Sequence, residues 1–374
     1  MGKALRAANE WNHESISTAG LAAALEELNG FPRISTEGKL LGKRGAVAIK
    51  IRTALLVCEV EQAATWAPLA DLLDAMPEGD PELDAFDELK QARLEFIEAR
   101  DATEAAVLLE IGRNRAVRVT GGRIEPTSPA AMAARWGHSK IQTAPLVEAV
   151  SQCESFPRPT PKALVLVARA KQVARVRDAL RGCVWKDSKS WGGLIACLEE
   201  VSAALSTEEV EEAEELEEVR AAKAEVDDMR TGTELGMQAA LGSGRSVKKD
   251  TGGWDHSAVS NTAIEAALVQ LEGFPRPSAT GKKLGKEAKL VIKVREAILK
   301  ADWASAASWA PLSTLLDELP SEDAEQTEVE AARRERKRHH RDLNHAVRGL
   351  HSTSRPRRLQ RLAAHHGNGA SALE

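Results

Sequence analysis

The sequence predicts an all-α protein of three tandem helical repeat units, with about four helices in each, packed end to end in an elongated array. Three observations predict this class. The 374 residues include no Tyr and only 5 Phe, whereas β-sandwiches and barrels use aromatic residues in their strands. No stretch alternates apolar and polar residues with period two over a useful length. One pattern of rare residues also occurs three times along the chain.

The repeat is clearest between residues 11–77 and 254–320, which align without a gap and are identical at 32 of 67 positions. A middle copy begins at Trp136, so we call the three copies the first, second and third segments. All eight Trp fall at three repeat positions, and one Phe and one His per segment also coincide. These residues are Trp11, Trp136 and Trp254; Trp185 and Trp303; Trp66, Trp191 and Trp309; Phe31, Phe156 and Phe274; and His13, His138 and His256.

Each segment contains a short helix A followed by a longer helix B. In the first segment, Leu21, Leu25 and Leu28 have helical spacing and Gly30 is a stop signal, which predicts helix A over 18–29. Pro32 disfavours helix at the preceding residue, so the Phe-Pro-Arg motif is a turn. Helix B is predicted over 37–60.

Helices C and D complete each segment. Helix C is predicted over 63–76, with Pro68 in its first turn, where proline is tolerated. Helix D is long and acidic. It opens at 80–82 in the first segment and, with a capping-box spacing, at Ser206 and Thr207 in the second.

Glycine-rich loops mark the boundaries between the predicted units. The loops at 120–122 and 251–253 divide the chain into units 1–122, 123–253 and an incomplete 254–335, followed by a basic, disordered tail over 336–374. Residues 2–6 resemble 244–248, the stretch that precedes Trp254. We therefore expect the chain to be a fragment of a longer repeat protein.

The basic end of the chain has two interpretations. Residues 333–374 carry a net charge of +8, whereas 1–332 carry −13. The stretch is either a genuine basic tail or the product of a shifted reading frame, because Arg, His, Ser and Pro are common in out-of-frame GC-rich sequence. A genuine tail predicts a nuclear localisation signal or a nucleic-acid arm at Arg333, Arg334, Arg336, Lys337 and Arg338.

The layout of each segment resembles tandem α-helical repeats of large stramenopile proteins from oomycetes and algae. The features that carry the resemblance are a Gly-Arg loop, a helix rich in Ala and Leu, a Lys-rich helix and the Asp302-Trp303 turn. The resemblance covers most of each segment. It implies a long multidomain parent and no catalytic residues.

The sequence predicts a cytoplasmic protein, with the nucleus as an alternative. No apolar run approaches the roughly 18 residues that a membrane span needs, and the first residues lack the apolar core of a secretory signal. Four cysteines form no CxxC motif, so we expect buried small residues in a reducing compartment. We expect no cofactor and no metal.

Helix B is the candidate partner-binding surface. Its lysines are Lys39, Lys43, Lys50, Lys282, Lys286, Lys289 and Lys293. Either helix B lies beside the acidic helix D and the charges complement each other, or helix B faces an acidic partner or nucleic acid. The Gly-Lys pairs at its start lack the spacing of a phosphate-binding loop.

The other recurring residues have structural interpretations. We expect the Trp residues in a packed core rather than on a base-stacking platform. Arg33, Arg158 and Arg276, which follow Phe-Pro, are expected to bond to a helix C-terminus. The three His, one per segment, are too far apart in sequence to form one metal site.

The sequence therefore predicts a non-catalytic scaffold that binds other proteins. GxSxG, HExxH, GxGxxG and CxxC motifs are absent. The alternative is a nucleic-acid-associated protein that uses helix B and the tail. A third interpretation, an enzyme with an unrecognised site, requires a pocket with perturbed titratable groups.

Overall fold

A computed structural model describes residues 5–7, 10–76, 86–113, 138, 141–207, 217–249, 253–302, 305–318, 332–338, 340–342 and 344–345. These residues are mostly helical, which confirms the all-α class. The chain forms two compact units. One comprises Met1–Gly236 with Val269–Gly281, and the other comprises Met237–Leu268 with Lys282–Glu374.

The elements recur in the same order along the chain. Two hairpins, β1 with β2 and β3 with β4, precede the first and third segments. The elements are β1 Leu5–Ala7, β2 Glu10–Asn12, α1 Ala19–Asn29, α2 Thr36–Leu55, α3 Ala67–Asp74, α4 Asp87–Gly112, α5 Ala144–Ser155, α6 Pro161–Arg181, α7 Gly192–Thr207, α8 Glu217–Gly242, β3 Val247–Lys249, β4 Gly253–Asp255, α9 Thr262–Gly273, α10 Ala279–Lys300 and α11 Ala310–Glu318. Residues 332–338 are also helical.

Both hairpins are absent from the sequence prediction. Each strand has three residues, and the strands pair antiparallel with Leu5 opposite Asn12 and Val247 opposite Asp255. A strand of three residues is too short to produce a period-two signal. The predicted boundary at 122 lies outside the described residues, and Gly253 begins β4.

Helix B ends five residues earlier than predicted because a side chain organises the turn that follows it. The Thr65 hydroxyl accepts a hydrogen bond from the Glu59 amide (2.8 Å) and donates one to the Gln62 carbonyl (2.7 Å). Ser190 and Ser308 occupy the equivalent positions and bond in the same way. The predicted helix C accordingly begins as a 3₁₀ turn over Ala63–Trp66 before α3.

The start of helix D in the second segment also differs from the prediction. Ser206 and Thr207 are the last residues of α7 rather than the cap of the acidic helix. Stop and start signals next to each other are hard to assign from sequence, because the same hydroxyl residues occur at both ends of helices. The acidic run over 208–216 lies outside the described residues, and so does the predicted start at 80–82.

The third tryptophan of each segment lies in a core, as predicted. Trp66, Trp191 and Trp309 are buried, and each indole Nε1 donates to the carbonyl seven residues earlier, at 3.0 to 3.2 Å. Trp185 is buried as well. Each indole therefore packs against the helices and also closes the turn that leads into helix C. The side chains of Trp136, Trp254 and Trp303 lie outside the described residues.

One buried arginine of helix B connects several elements in each segment. Arg52 forms two bonds to the Glu88 carboxylate on α4, at 2.6 and 3.2 Å, and donates to the Ser17 carbonyl before α1 (2.7 Å). The equivalent Arg177 bonds to Glu218 on α8 (3.1 Å) and to the Gln142 carbonyl before α5. Arg295 likewise donates to the Ser260 carbonyl before α9 (2.8 Å).

The same arginines satisfy the end of the preceding long helix. Arg177 donates to the carbonyls of Glu110 and Ile111 in the last turn of α4. Arg295 donates to the carbonyls of Leu241 and Ser243 at the end of α8. Because the last carbonyls of a helix have no partner within it, a guanidinium with five donors can satisfy them and also bind a carboxylate.

Replacement of Arg177 by Met should lower the free energy of unfolding by about 3–5 kcal/mol, because Glu218 stays buried without its partner. Arg175→Met is the matched control. Arg175 is about half exposed and pairs with Glu200 at the surface, so its loss should cost about 1 kcal/mol or less. Denaturant unfolding followed by circular dichroism measures both. A loss of stability for Arg177→Met as small as that for Arg175→Met would contradict the structural role of Arg177.

Candidate functional site

The seven predicted helix B lysines form two exposed faces. Lys39, Lys43 and Lys50 are exposed on α2, and Lys282, Lys286, Lys289 and Lys293 are exposed on α10. Spacings of 3, 4 and 7 residues place these side chains on one side of each helix. The side of α2 that packs inward carries Ala48, Ile51 and Leu55. We call these two surfaces the lysine faces.

The second segment carries a different surface at helix B. Lys171 pairs with Glu154 on α5, and Arg175 pairs with Glu200 on α7. Buried charge pairs join helices B and D in two of the segments. These pairs are Arg52–Glu88 and Arg177–Glu218.

The predicted nuclear signal lies on the helical residues 332–338. Arg333 donates to the Leu316 carbonyl (3.3 Å), and Arg336 bonds to the Asp317 carboxylate (2.5 Å) and to the Ser313 carbonyl (3.4 Å). The bond from Arg336 holds the pKa of Asp317 below its usual value. Arg334, Lys337 and Arg338 are exposed. Two of the five predicted signal residues therefore contact α11.

The predicted boundary at 335 falls inside this helix. Residues 336–338, 340–342 and 344–345 are helical, although the sequence predicts a disordered tail from residue 336. Arg and Lys are good helix formers, and the Arg336–Asp317 pair connects the segment to α11. The remainder of the predicted tail lies outside the described residues.

A cavity of about 910 Å³ separates this helix from α11. Its walls combine an indole, a few small and apolar groups, one carboxylate and several cations. The lining residues are Trp309, Ala310, Ser313, Leu316, Asp317, Arg333, Arg336, Lys337, His340 and Arg341.

The corresponding place in the first segment is filled by the Phe-Pro-Arg turn of the second. The Phe156 ring lies 5.1 Å from that of Phe96 and 6.1 Å from that of Trp66, measured between centroids. Arg158 bonds to the Ala70 carbonyl and to the Asp74 carboxylate, at the C-terminal half of α3. The predicted contact of this arginine with a helix C-terminus is made through the side chain of Asp74, the last residue of α3, whereas its backbone bond is to the middle of the helix.

The turn at Phe274 makes the same kind of contact with the second segment. Phe274 is 2 % exposed and packs in one core with Trp191 and Leu198. Arg276 pairs with Glu199, the residue equivalent to Asp74. We call the place that receives such a phenylalanine and arginine a seat.

The hydrogen bonds beside the two occupied seats are equivalent as well. Gln152 accepts from the Ala63 amide (2.9 Å), and the equivalent Gln270 accepts from the Ser188 amide (3.0 Å). Thr160 donates to Glu104 on α4 (2.7 Å), and Ser278 donates to Glu234 on α8 (2.6 Å). The alignment places these residues at matching positions, so one interface is built twice.

Phe31 is the exception. Its side chain is 69 % exposed, against 2 % for Phe156 and Phe274. Arg33 is exposed too, and no hydrogen bond or ion pair joins it to another residue of the part of the chain that the structure describes. Within the described residues, the first Phe-Pro-Arg turn has no seat.

Each of the three histidines pairs with a glutamate of helix D. His13 bonds to Glu95, and His138 bonds to Glu225. The His256 Nε2 atom lies 3.6 Å from Glu335. The sequence alone does not indicate these pairs, because more than 75 residues separate the partners. Among the described residues, no group of three or more His, Cys, Asp and Glu is placed to hold a metal ion.

The surroundings of these pairs shift their titration. The bond to Glu95 raises the pKa of His13, whose Nδ1 atom also lies 3.2 Å from the Cys58 carbonyl. Acceptors on both ring nitrogens favour the imidazolium form. Burial raises the pKa of Glu225 and raises that of Glu335 to about 7.

The cysteines belong to the cores. Cys58, Cys153 and Cys183 are buried as predicted, and Cys197 is partly buried. Burial raises the pKa of the Cys58 and Cys183 thiols to about 12. These two side chains therefore stay protonated and act as small apolar groups at neutral pH.

Comparisons with protein-family models, with curated proteins and with solved structures find no match for this chain. In the part of the chain that the structure describes, no helix is both long enough and apolar enough to cross a membrane.

Replacement of Glu95 by Gln should destabilise the protein more at low pH than at high pH. The raised pKa of His13 means that the pair stabilises fully below 6.5, the ordinary value for His, and that this contribution disappears as the pH rises through the folded-state pKa. Urea unfolding measures the free energy of unfolding of the variant and the wild type. We expect the variant to be less stable by about 1–3 kcal/mol at about pH 6 and similar to the wild type at about pH 9. Glu61→Gln, at an exposed position, is the control. A loss independent of pH would contradict a charged pair.

Replacement of Phe156 by Ala should lower the free energy of unfolding by about 3–5 kcal/mol, because it opens a cavity between Trp66 and Phe96. Phe31→Ala changes the same residue of the same motif. It should cost less than about 0.5 kcal/mol at low protein concentration, because the Phe31 side chain is exposed. Denaturant unfolding measures both variants. Similar losses for the two would contradict the difference between an occupied and an unoccupied seat.

Proposed function

We propose that the chain is a tandem array of three helical units of one type and acts as a non-catalytic scaffold that binds other proteins. The observation that carries this proposal is the recurrence of one set of contacts at aligned positions. The set comprises the buried arginine, the His–Glu pair, the Trp that closes a turn and the seat for a Phe-Pro-Arg turn. Such repetition is typical of repeat proteins, in which neighbouring units bury a common core and leave a surface for partners.

The contacts of the recurring charged groups support a structural role for these groups. Arg52 and Arg177 neutralise buried glutamates and satisfy backbone carbonyls. His13 and His138 likewise form pairs with the buried Glu95 and Glu225. A group held in such a pair is not available to bind a substrate without a large cost. The lysines of the lysine faces, by contrast, are exposed at the surface.

The lysine faces favour acidic partners. Four lysines on α10 lie within twelve residues and are all exposed. Exposed lysines attract an acidic protein surface at long range and contribute to the association rate more than to affinity. We therefore propose acidic proteins as the partners of these faces.

The cavity beside Trp309 favours the alternative, a nucleic-acid-associated protein. Arg333, Arg336, Lys337 and Arg341 line it together with the indole of Trp309. Basic groups near an aromatic ring are a pattern of single-stranded nucleic-acid sites. The net charge of −13 on residues 1–332 opposes this function, because it repels phosphate at long range.

The double change Lys289→Glu and Lys293→Glu in the full chain tests the proposal. Acidic proteins that co-purify with the wild type from nuclease-treated lysate should be lost, because the charge of the α10 lysine face is reversed. Lys186→Glu with Lys189→Glu changes the net charge equally at exposed positions outside helix B and should retain the partners.

Fluorescence anisotropy with labelled oligonucleotides completes this test. Binding at background for every form supports the scaffold. Salt-sensitive binding of the wild type that the α10 changes weaken would overturn it in favour of the nucleic-acid function. Retention of the same protein partners by both double variants would contradict a role for the lysine face.

A further inference from the structure

Among the described residues, one seat receives no Phe-Pro-Arg turn, and one Phe-Pro-Arg turn has no seat. The turn is Phe31 and Arg33, which follow α1. The seat is the cavity beside Trp309. We call the first the head turn and the second the tail seat.

The head turn continues a helix that is itself uncovered. Helix α1 contains no buried residue, whereas the equivalent α5 buries Leu146, Ala149, Val150 and Cys153. Helix α5 owes this burial to the long helix α4, since Val107 of α4 lies in the same core. The equivalent residues of α1 include Leu21 and Leu28, which are only partly covered. The face of α1 that corresponds to the buried face of α5 is thus more exposed than its equivalent in the second segment.

The tail seat has the parts of the occupied seats. Trp309 is equivalent to Trp66 and Trp191, and Leu316 is equivalent to Leu73 and Leu198. Asp317 is equivalent to Asp74 and Glu199, the two carboxylates that bind Arg158 and Arg276. Trp309 is 8 % exposed, against 2 % for Trp66 and 0 % for Trp191, which have a phenylalanine beside them.

One residue distinguishes the tail seat. Arg336 stands where the first two segments have Phe96 and Val226, and it holds Asp317 through its own side chain. An incoming arginine must therefore compete for that carboxylate. Stacking of a guanidinium on a phenylalanine offsets part of this cost, as Arg158 shows by lying 5.9 Å from the centre of the Phe96 ring.

We propose that the chain associates with itself head to tail, with Phe31 of one copy entering the cavity beside Trp309 of a second copy. Arg33 of the first copy then shares Asp317 with Arg336, which stacks on the Phe31 ring. A second copy fits the cavity because the same contact is already made twice within the chain, by Phe156 with Arg158 and by Phe274 with Arg276.

The contact is heterologous, so each copy keeps one head turn and one tail seat to offer. Such contacts produce open chains that lengthen with concentration, unless the geometry closes a ring. This inference rests on the proposed array of like units. It does not involve the α10 lysine face, so the two can fail separately.

Sedimentation velocity of the full-length protein over a range of concentrations tests the proposal. The wild type should shift from monomer to larger species as concentration rises. Phe31→Ala should raise the dissociation constant at least about tenfold, the effect of removing an aromatic anchor from a pocket. Leu164→Ala removes another exposed apolar side chain, on α6, and should leave association unchanged.

Arg336→Val is the sharper variant, because it restores the residue type of the second segment and frees Asp317. It should tighten association relative to the wild type, and the addition of Phe31→Ala should reverse the gain. Circular dichroism of each variant at low concentration checks that the fold is retained. A wild type and an Arg336→Val variant that both stay monomeric would overturn the proposal. So would association that Phe31→Ala leaves intact.

The lysine-face variant separates this proposal from the proposed function. Lys289→Glu with Lys293→Glu should associate like the wild type while losing its acidic partners. Loss of self-association with retention of those partners, in Phe31→Ala, is the complementary result that supports both.

Discussion

The organisation of this protein depends on a buried arginine whose guanidinium bonds to several elements at once. Arg177 is fully buried and reaches the end of one long helix, the start of the next and the residue that precedes α5. A hydrocarbon at this position would leave helix-end carbonyls and a carboxylate unpaired in the interior. The guanidinium instead holds three elements in one arrangement. Arg52 makes the equivalent bonds to a carboxylate and to the carbonyl before α1, and Arg295 makes those to the end of α8 and to the carbonyl before α9. The same position of helix B therefore connects neighbouring elements in each segment.

The long helices then join neighbouring cores. Leu89 and Phe96 in the first half of α4 pack with Trp66, whereas Val107 in its second half packs with α5. One helix therefore contributes to two cores, and the Phe156 ring adds a second connection. Because the same helix is part of both cores, a loss of packing in one segment affects the next.

The interior and the surface use their charged residues differently. The recurring histidines, Arg52 and Arg177 pair with buried glutamates, and the cavity beside Trp309 combines an indole with several cationic side chains. Lysines along α2 and α10 are exposed. The chemical character of the molecule is thus divided between an interior that uses its charges for architecture and an exterior that offers lysines and one open aromatic turn.

The sequence by itself determined the helical class, the bounds of α1, the burial of Trp66, Trp191 and Trp309 and the equivalence of aligned residues. These follow from local periodicity, turn residues and the positions of rare residues, which need no knowledge of distant contacts. Only the tertiary structure decided that His13 meets Glu95, that Arg52 meets Glu88, that Thr65 ends helix B early and that Phe31 differs from Phe156. Each of these depends on which groups meet across tens of residues, or on whether a surface is covered. Identical motifs therefore acquire different roles for a physical reason: burial is a property of the assembled packing and is not encoded in a motif alone.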